Sequence, residues 1–325
     1  MSEPEPVFIS ETESASLVSR ELAYGAVRDA FLSLADGSGQ LNPVVMAPGT
    51  APDDVFSLKS GSAAAAGLVG FKCGAYFSGA DSLGLPRHSS NTVLLDPVSG
   101  RMRSVVSASE VNCYRTAAAN AVATRALARA ESSTLTIFGA GHQAWYEIDA
   151  LLGVCELQQI NIVSRNSVRA EALAQRLDAK LSGIGVQVLA AAQAVPQADI
   201  LVTVTTAREP LFDDAWVKPG CHISAMGCDQ QGKQELPVEL LARARLVADL
   251  PEQSLRVGEF QHVADRVGAG ALSLGLLGDV LAGNTPGRSS ADEITVFDSS
   301  GVALQDLFVA DRILAAYLDS HADDH

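Results

Sequence analysis

The stretch Leu135-Thr136-Ile137-Phe138-Gly139-Ala140-Gly141-His142-Gln143-Ala144 decides the fold. A short buried-strand pattern ends in a G-x-G-x-x-A turn, and a helical run follows to Leu152. Gly139 permits a tight turn, Gly141 lets the backbone approach a pyrophosphate, and Ala144 lets helix and strand pack closely. The opening N–H groups of the helix then face the anion. An ordinary βα turn uses similar residues, so the surroundings have to decide. Downstream, strand patterns at Ile160–Val163, Val186–Leu189, Ile200–Val204, His222–Met226 and Arg245–Asp249 recur, with a helical pattern at Val168–Leu181. Apolar strands alternating with helices predict an α/β fold, a parallel sheet covered on both faces.

Upstream the rhythm differs. A helix is expected from Ser14 to Leu34, followed by strands such as Gly70–Phe77 and Thr92–Leu95, the latter closed by the turn Asp96–Gly100. This predicts a mixed sheet with a covering helix. The run Arg115–Arg129 (RTAAANAVATRALAR) is rich in helix formers, and its small side chains predict a helix packed closely on another element. After the α/β zone come a strand (Ile294–Phe297) and an apolar-periodic helix (Leu304–Leu318). That helix is expected to dock back on the first zone and make it a discontinuous domain.

Composition narrows the function. The 325 residues carry 23 Lys+Arg against 38 Asp+Glu, a net charge of −15, and 47% are hydrophobic. So acidic a chain is expected to bind neither nucleic acid nor an anionic membrane, although a local cationic pocket for a small anion is compatible with it. No apolar run is long enough for a membrane helix, and the opening Met1–Pro6 lacks the order of a secretory signal. The five cysteines are odd in number and scattered, as expected of reduced thiols in a cytoplasmic protein. The histidines (His88, His142, His222, His262, His321, His325) show no metal-ligand spacing, so no metal is expected. No G-x-S-x-G elbow points to a hydrolase.

Only five lysines occur, and Lys59 and Lys72 lie in strand-like contexts. Either would face inward, available to a carboxylate or as a proton donor, or snorkel from an edge strand. Arg115, at the head of the small-residue helix, would fork onto a substrate carboxylate or bond a neighbouring acid. Asp229 follows the His222–Met226 strand, where ligands of open α/β sheets collect, yet an Asp in a Gly-flanked loop is also a common turn residue. After the second strand of the α/β zone stands Ser164-Arg165 rather than an acid. This favours NADPH over NADH unless Arg165 is merely a solvated cation.

Several ordered segments together resemble the ornithine cyclodeaminase/mu-crystallin family. They are Phe71-Lys72, Arg115–Ala119, Gly139–Ala144, Val202–Thr205, Trp216–Gly220, His222–Gly227, Gly232–Leu236 and Thr295–Ser299. The resemblance implies a Rossmann-type doubly wound parallel sheet (115–303) that binds NADPH or NADH. It also implies a discontinuous α+β domain (1–114 and 304–325) that holds substrate in the cleft and forms a homodimer. By the same likeness Lys72 matches the active-site lysine and Arg115 the carboxylate-binding arginine. Asp229 matches the aspartate that is catalytic in cyclodeaminases. Gly139, Ala140, Gly141, His142, Gln143, Ser164, Arg165 and Thr205 fall at the cofactor. The family's further carboxylate arginine has no counterpart in Asn42–Met46, and Lys59 or Arg87 would supply that charge. Phe56-x-Leu58-Lys59-Ser60-Gly61 with Gly84-Leu85-x-x-His88-Ser89 looks like the iminosuccinate reductase branch and adds His88 as a substrate contact.

The resemblance thus implies an NAD(P)H-dependent reductase of small α-imino acids. The alternatives are an ornithine cyclodeaminase recycling bound NAD, favoured by Asp229 and disfavoured by Ser164-Arg165, and a crystallin-like nucleotide-binding protein without turnover.

Overall fold

The computed structural model describes residues 5–322; the sequence readings on Met1–Pro4 and His325 lie outside the described residues. The chain divides into two compact units, residues 1–115 with 302–325, and residues 116–301.

The first unit is built on a seven-stranded mixed sheet of β1 (Val7–Ile9), β2 (Gly39–Leu41), β3 (Val45–Pro48), β4 (Val55–Ala63), β5 (Leu68–Tyr76), β6 (His88–Leu95) and β7 (Met102–Ser107). Its order is β1-β7-β6-β5-β4-β2, with β3 also paired to β4. β1 runs parallel to β7 and the other pairs are antiparallel. Two helices, Arg20–Ala35 and the C-terminal Ala303–Ser320, pack on each other, and the latter lies on β4, β5 and β6. Ala303, Leu304, Leu307, Phe308, Ala310, Ile313 and Leu314 form its buried stripe at helical spacing.

The single helix expected over Ser14–Leu34 is two helices, Glu11–Leu17 and Arg20–Ala35. Val18 turns extended, and Ser19 restarts the helix by accepting the Leu22 N–H on its side chain. Ser10 caps the first helix in a reciprocal pair with Glu13. Two serine caps nine residues apart were the missed signal, because the apolar spacing runs smoothly across the break. Likewise, Arg115 is not at the head of its helix: the helix begins at Ser109 and runs to Leu127.

The second unit carries β8 (Thr134–Phe138), β9 (Gln159–Val163), β10 (Gly185–Val188), β11 (Ile200–Thr203), β12 (His222–Ala225), β13 (Arg245–Ala248), β14 (Leu274–Leu276) and β15 (Thr295–Asp298). All are parallel, in the order β10-β9-β8-β11-β12-β15-β13-β14. This is a doubly wound α/β sheet whose order reverses between β8 and β11. β14, three residues around Gly275, was too short and too weakly patterned to be expected. Ala117, Ala118, Ala119, Ala121 and Ala123 of the Ser109–Leu127 helix are buried.

His222 is fully buried in β12, its Nδ1 2.9 Å from Thr295 Oγ1 and its Nε2 3.2 Å from Ser224 Oγ. Burial, with the Arg288 charge, pushes its pKa down to about 3, so it is a neutral polar core residue. Among the described residues no three His, Cys, Asp or Glu side chains gather as a metal site. No helix among them is long and apolar enough to cross a membrane.

Gly70, in β5, shows how tightly the first sheet is packed: a Cβ there would lie 2.1 Å from the Val93 carbonyl oxygen. Gly70→Ala is expected to cost about 1–3 kcal/mol, read as a lower urea midpoint at unchanged m value.

Candidate active site

In the first unit two cations that the chain buries meet one carboxylate. Lys72 is 7% exposed, Arg115 8% and Asp306 5%. Lys72 Nζ donates to Asp306 Oδ1 at 3.0 Å, and Arg115 Nε donates to the same oxygen at 3.0 Å. Asn112 Oδ1 accepts from Lys72 Nζ and, at 2.7 Å, from an outer guanidinium nitrogen of Arg115. Gln305 Oε1 accepts from the other outer nitrogen at 3.3 Å. A guanidinium carries five N–H donors, so these contacts hold all three nitrogens of Arg115 in place and still leave donors on the two outer ones for an anion. Arg115 does bond an acid, but one supplied by the C-terminal helix.

The local folding explains the convergence. β5 turns Lys72 onto the same sheet face as Gly70, the face on which Leu307 of the C-terminal helix packs. Asp306 lies in the first turn of that helix. Burial lowers the Lys72 pKa to about 7; the Arg115 and Lys59 charges push the same way, and Asp306 opposes them. Asp306 is pushed up by burial, but Arg115 and Lys72 outweigh this and hold it below its usual range.

Lys59 is the cross-strand partner of Lys72, and Thr92 is the partner on the other side. The three share one face, with Lys59 half-buried. Arg87 and His88 sit elsewhere. Arg87 is exposed, donates to Asp81 at 2.7 Å and to the Tyr76 hydroxyl at 3.3 Å, while the His88 ring meets the Tyr76 ring edge-on at 4.9 Å. Tyr76 is four residues beyond Lys72 on the same face, roughly 13 Å along the strand. Of the two candidates for an extra cation, the structure therefore brings Lys59 to the Lys72 cluster and pairs Arg87 with Asp81.

In the second unit the fingerprint turn occupies the reversal point of the sheet. Gly139 has φ +117°, and a Cβ there would lie 2.7 Å from the Val204 carbonyl oxygen, so the loops after β8 and β11 touch through it. Gly141 precedes the helix His142–Leu152 and has open space where a Cβ would point. That opening, at the N-terminus of the helix, fits a dinucleotide pyrophosphate. Ala140 is half-buried and His142 exposed, its ring against Tyr146. Gln143 turns inward instead, donating to buried Glu147 at 2.8 Å, which also accepts from Asn120. After β9, Ser164 Oγ accepts from Asn166 N, Asn166 caps the Ser167–Asp178 helix, and Arg165 is exposed. No acid occupies this strand end.

Thr205 lies just beyond β11 and is held by Glu235, a residue that carries no catalytic signature in the sequence. The Glu235 carboxylate accepts from Thr205 N and Oγ1, both at 2.7 Å, from Thr203 Oγ1 at 2.8 Å, and from Gly227 N at 3.0 Å. It thereby ties together the ends of β11 and β12. Glu259 in turn accepts from the Glu235 and Leu236 N–H groups. Burial pushes Glu259 up to about 8, with the Glu235 charge adding to it against the Leu236 N–H. Asp229, in the loop after β12, is exposed and accepts from Lys233 at 2.5 Å; Lys233 also donates to Gly227 O.

With this geometry in view, the comparisons with known proteins are specific. The chain matches the ornithine cyclodeaminase/mu-crystallin family over residues 5–320 and belongs to it. It is 35% identical to an iminosuccinate reductase of Paracoccus denitrificans, over 94% of this chain and 95% of that protein. A solved structure of that organism's iminosuccinate reductase in complex with NAD+ superposes with a TM-score of 0.90 at 33% identity, covering 98% of each chain. An archaeal alanine dehydrogenase dimer with bound NAD gives 0.90 at 31% identity, covering 97% of each. The Δ1-pyrroline-2-carboxylate reductase of Thermococcus litoralis, in complex with NADH and L-proline, gives 0.88 at 26%, covering 97% of this chain and 98% of that one.

Glu235→Gln replaces an acceptor-only group with one whose amide confronts donors. It is expected to cost about 1–3 kcal/mol of stability and to weaken dinucleotide binding, measured by denaturant titration and calorimetry.

Proposed function

We propose that the chain is an NAD(P)H-dependent reductase of small α-imino acids, yielding the amino acid. The observation that carries this reading is the pair of buried cations, Lys72 and Arg115, in a chain whose other unit places a dinucleotide turn at the reversal point of its sheet. The relatives named iminosuccinate reductase, alanine dehydrogenase and pyrroline-2-carboxylate reductase support it, since all three names denote small α-amino or α-imino acids.

Residues 1–115 with 302–325 serve as the substrate-binding unit and 116–301 as the dinucleotide-binding unit. Bound dinucleotide supplies a hydride for the C=N carbon. Gly139, Ala140, Gly141 and His142 hold the pyrophosphate end, Thr205 lies beside the ring end, and Ser164 with Arg165 take the ribose, favouring a 2′-phosphate. Arg115 forks onto the α-carboxylate. Lys72 holds a proton at the imine nitrogen, because an iminium carbon accepts hydride more readily than a neutral imine. Lys59, across the strand from Lys72, receives a second carboxylate, which makes a dicarboxylic imino acid the favoured substrate.

The exposed apolar side chains Phe8, Val45, Met46 and Met102 on strands of the first unit support a homodimer, the state printed for the archaeal alanine dehydrogenase. The acidic charge and five free cysteines support a cytoplasmic location.

Purified protein with NADPH or NADH is expected to oxidise the nucleotide when given iminosuccinate or pyrroline-2-carboxylate, faster with NADPH. Ornithine alone is expected to give no proline or ammonia. Cyclodeamination of ornithine, or nucleotide binding without turnover across imines, would replace the reading.

The reductive kcat/KM is expected to fall as pH rises through about 7, where Lys72 in the free enzyme loses its proton. Lys72→Met is expected to remove that limb and to lower kcat/KM by about 10²–10⁴-fold, measured by initial rates across pH.

A further inference from the structure

Asp306 has no part in the proposed substrate contacts, yet it organises Lys72 and Arg115, the two cations assigned to them. It accepts Lys72 Nζ and Arg115 Nε on a single oxygen, while its other oxygen, Oδ2, is buried and has no hydrogen-bond partner among the described residues. A carboxylate placed only to neutralise two cations would share them between its oxygens. Here both come to one oxygen, so the two head groups are drawn side by side. Asn112 Oδ1 repeats the convergence with a neutral acceptor, and Gln305 bonds the far guanidinium nitrogen. The charged groups facing Lys72 are Arg115 from the Ser109–Leu127 helix, Lys59 from β4, and Asp306 from the C-terminal helix.

We propose that Asp306 is a positioning residue that keeps Lys72 protonated and, from one oxygen, aims Lys72 and Arg115 at the same bound imino acid. The role deepens the imino-acid reductase reading and rests on it for the identity of that substrate. Its electrostatic part stands apart from turnover. Burial and two neighbouring cations all drive the proton off Lys72, and the Asp306 charge is what opposes them. Asp306 cannot itself accept the substrate carboxylate, so its effect on catalysis passes through the two cations.

The test reads Lys72 directly. The protein has five lysines, so ¹³C labelling at lysine Cε gives a sparse spectrum in which Lys72 is assigned by Lys72→Arg. Asp306→Asn keeps the shape and an acceptor oxygen but removes the charge. It is expected to lower the Lys72 midpoint by about one to three pH units, the range for losing an adjacent opposite charge. Asn112→Asp, which adds a carboxylate against the same two cations, is expected to raise it. This second variant keeps the proposal testable if Asp306→Asn does not fold. In active protein the alkaline limb of kcat/KM is expected to move with the midpoint in each variant. A purely structural Asp306 would scale the activity down and leave both midpoints where they were, which overturns the proposal. A midpoint that moves in protein unable to reduce imines would sink the functional reading and spare this one.

Discussion

Two cations and one carboxylate, nearly stripped of water, constrain the first unit more than any other feature. Removing one partner of such a group leaves a buried charge uncompensated, typically at about 3–5 kcal/mol. Lys72, Arg115 and Asp306 come from β5, from the helix Ser109–Leu127 and from the last helix of the chain. The group forms only when the C-terminal helix lies against the sheet with its first turn at Lys72. The buried stripe from Leu304 to Leu314 supplies the binding energy, and the ion cluster supplies the register. A discontinuous unit is the consequence.

The second unit solves a different problem, that of holding loops still at the carboxyl ends of parallel strands. Gly139 brings the loop after β8 onto Val204, and Glu235 then locks Thr205 to Gly227. Four donors on one buried carboxylate leave those loops little freedom. A dinucleotide resting there would meet prearranged backbone N–H groups rather than order them on binding, which lowers the entropic cost of association. Glu235 and Asp306 thus do related work in the two units: each is a buried acid on which several donors converge and are held in place.

Much of this was legible from the residues alone. The turn Gly139–Ala144 and the alternation after it carry the parallel sheet, because strand and helix periods differ and a buried strand admits few polar residues. Lys59 and Lys72 both read as rare lysines in strand patterns, with only the family likeness singling out Lys72, and Arg115 reads as a cation at the head of an alanine-rich run. Other features were hidden for physical reasons. The break at Val18–Ser19 leaves the apolar spacing undisturbed, so only a serine cap marks it. Asp306 interrupts the apolar run Leu304–Phe308, a signal that was present but reads equally well as an exposed helix position until the partners 191 and 234 residues away are known. Glu235 sits in a segment whose backbone is irregular, where no periodicity predicts burial. Arg87 and Lys59 were equivalent as spare cations in sequence; the β4–β5 register and the Asp81 contact separate them.

In the proposed reduction, hydride passes from a dihydronicotinamide to the carbon of a bound imine. Nucleotide deuterated at C4 on the transferred face, mixed with protein and imino acid, gives the most direct reading by mass spectrometry of the amino acid formed. One deuterium at the α-carbon of each product molecule is expected. Amino acid formed without that label, or no amino acid from protein saturated with both ligands, would contradict it.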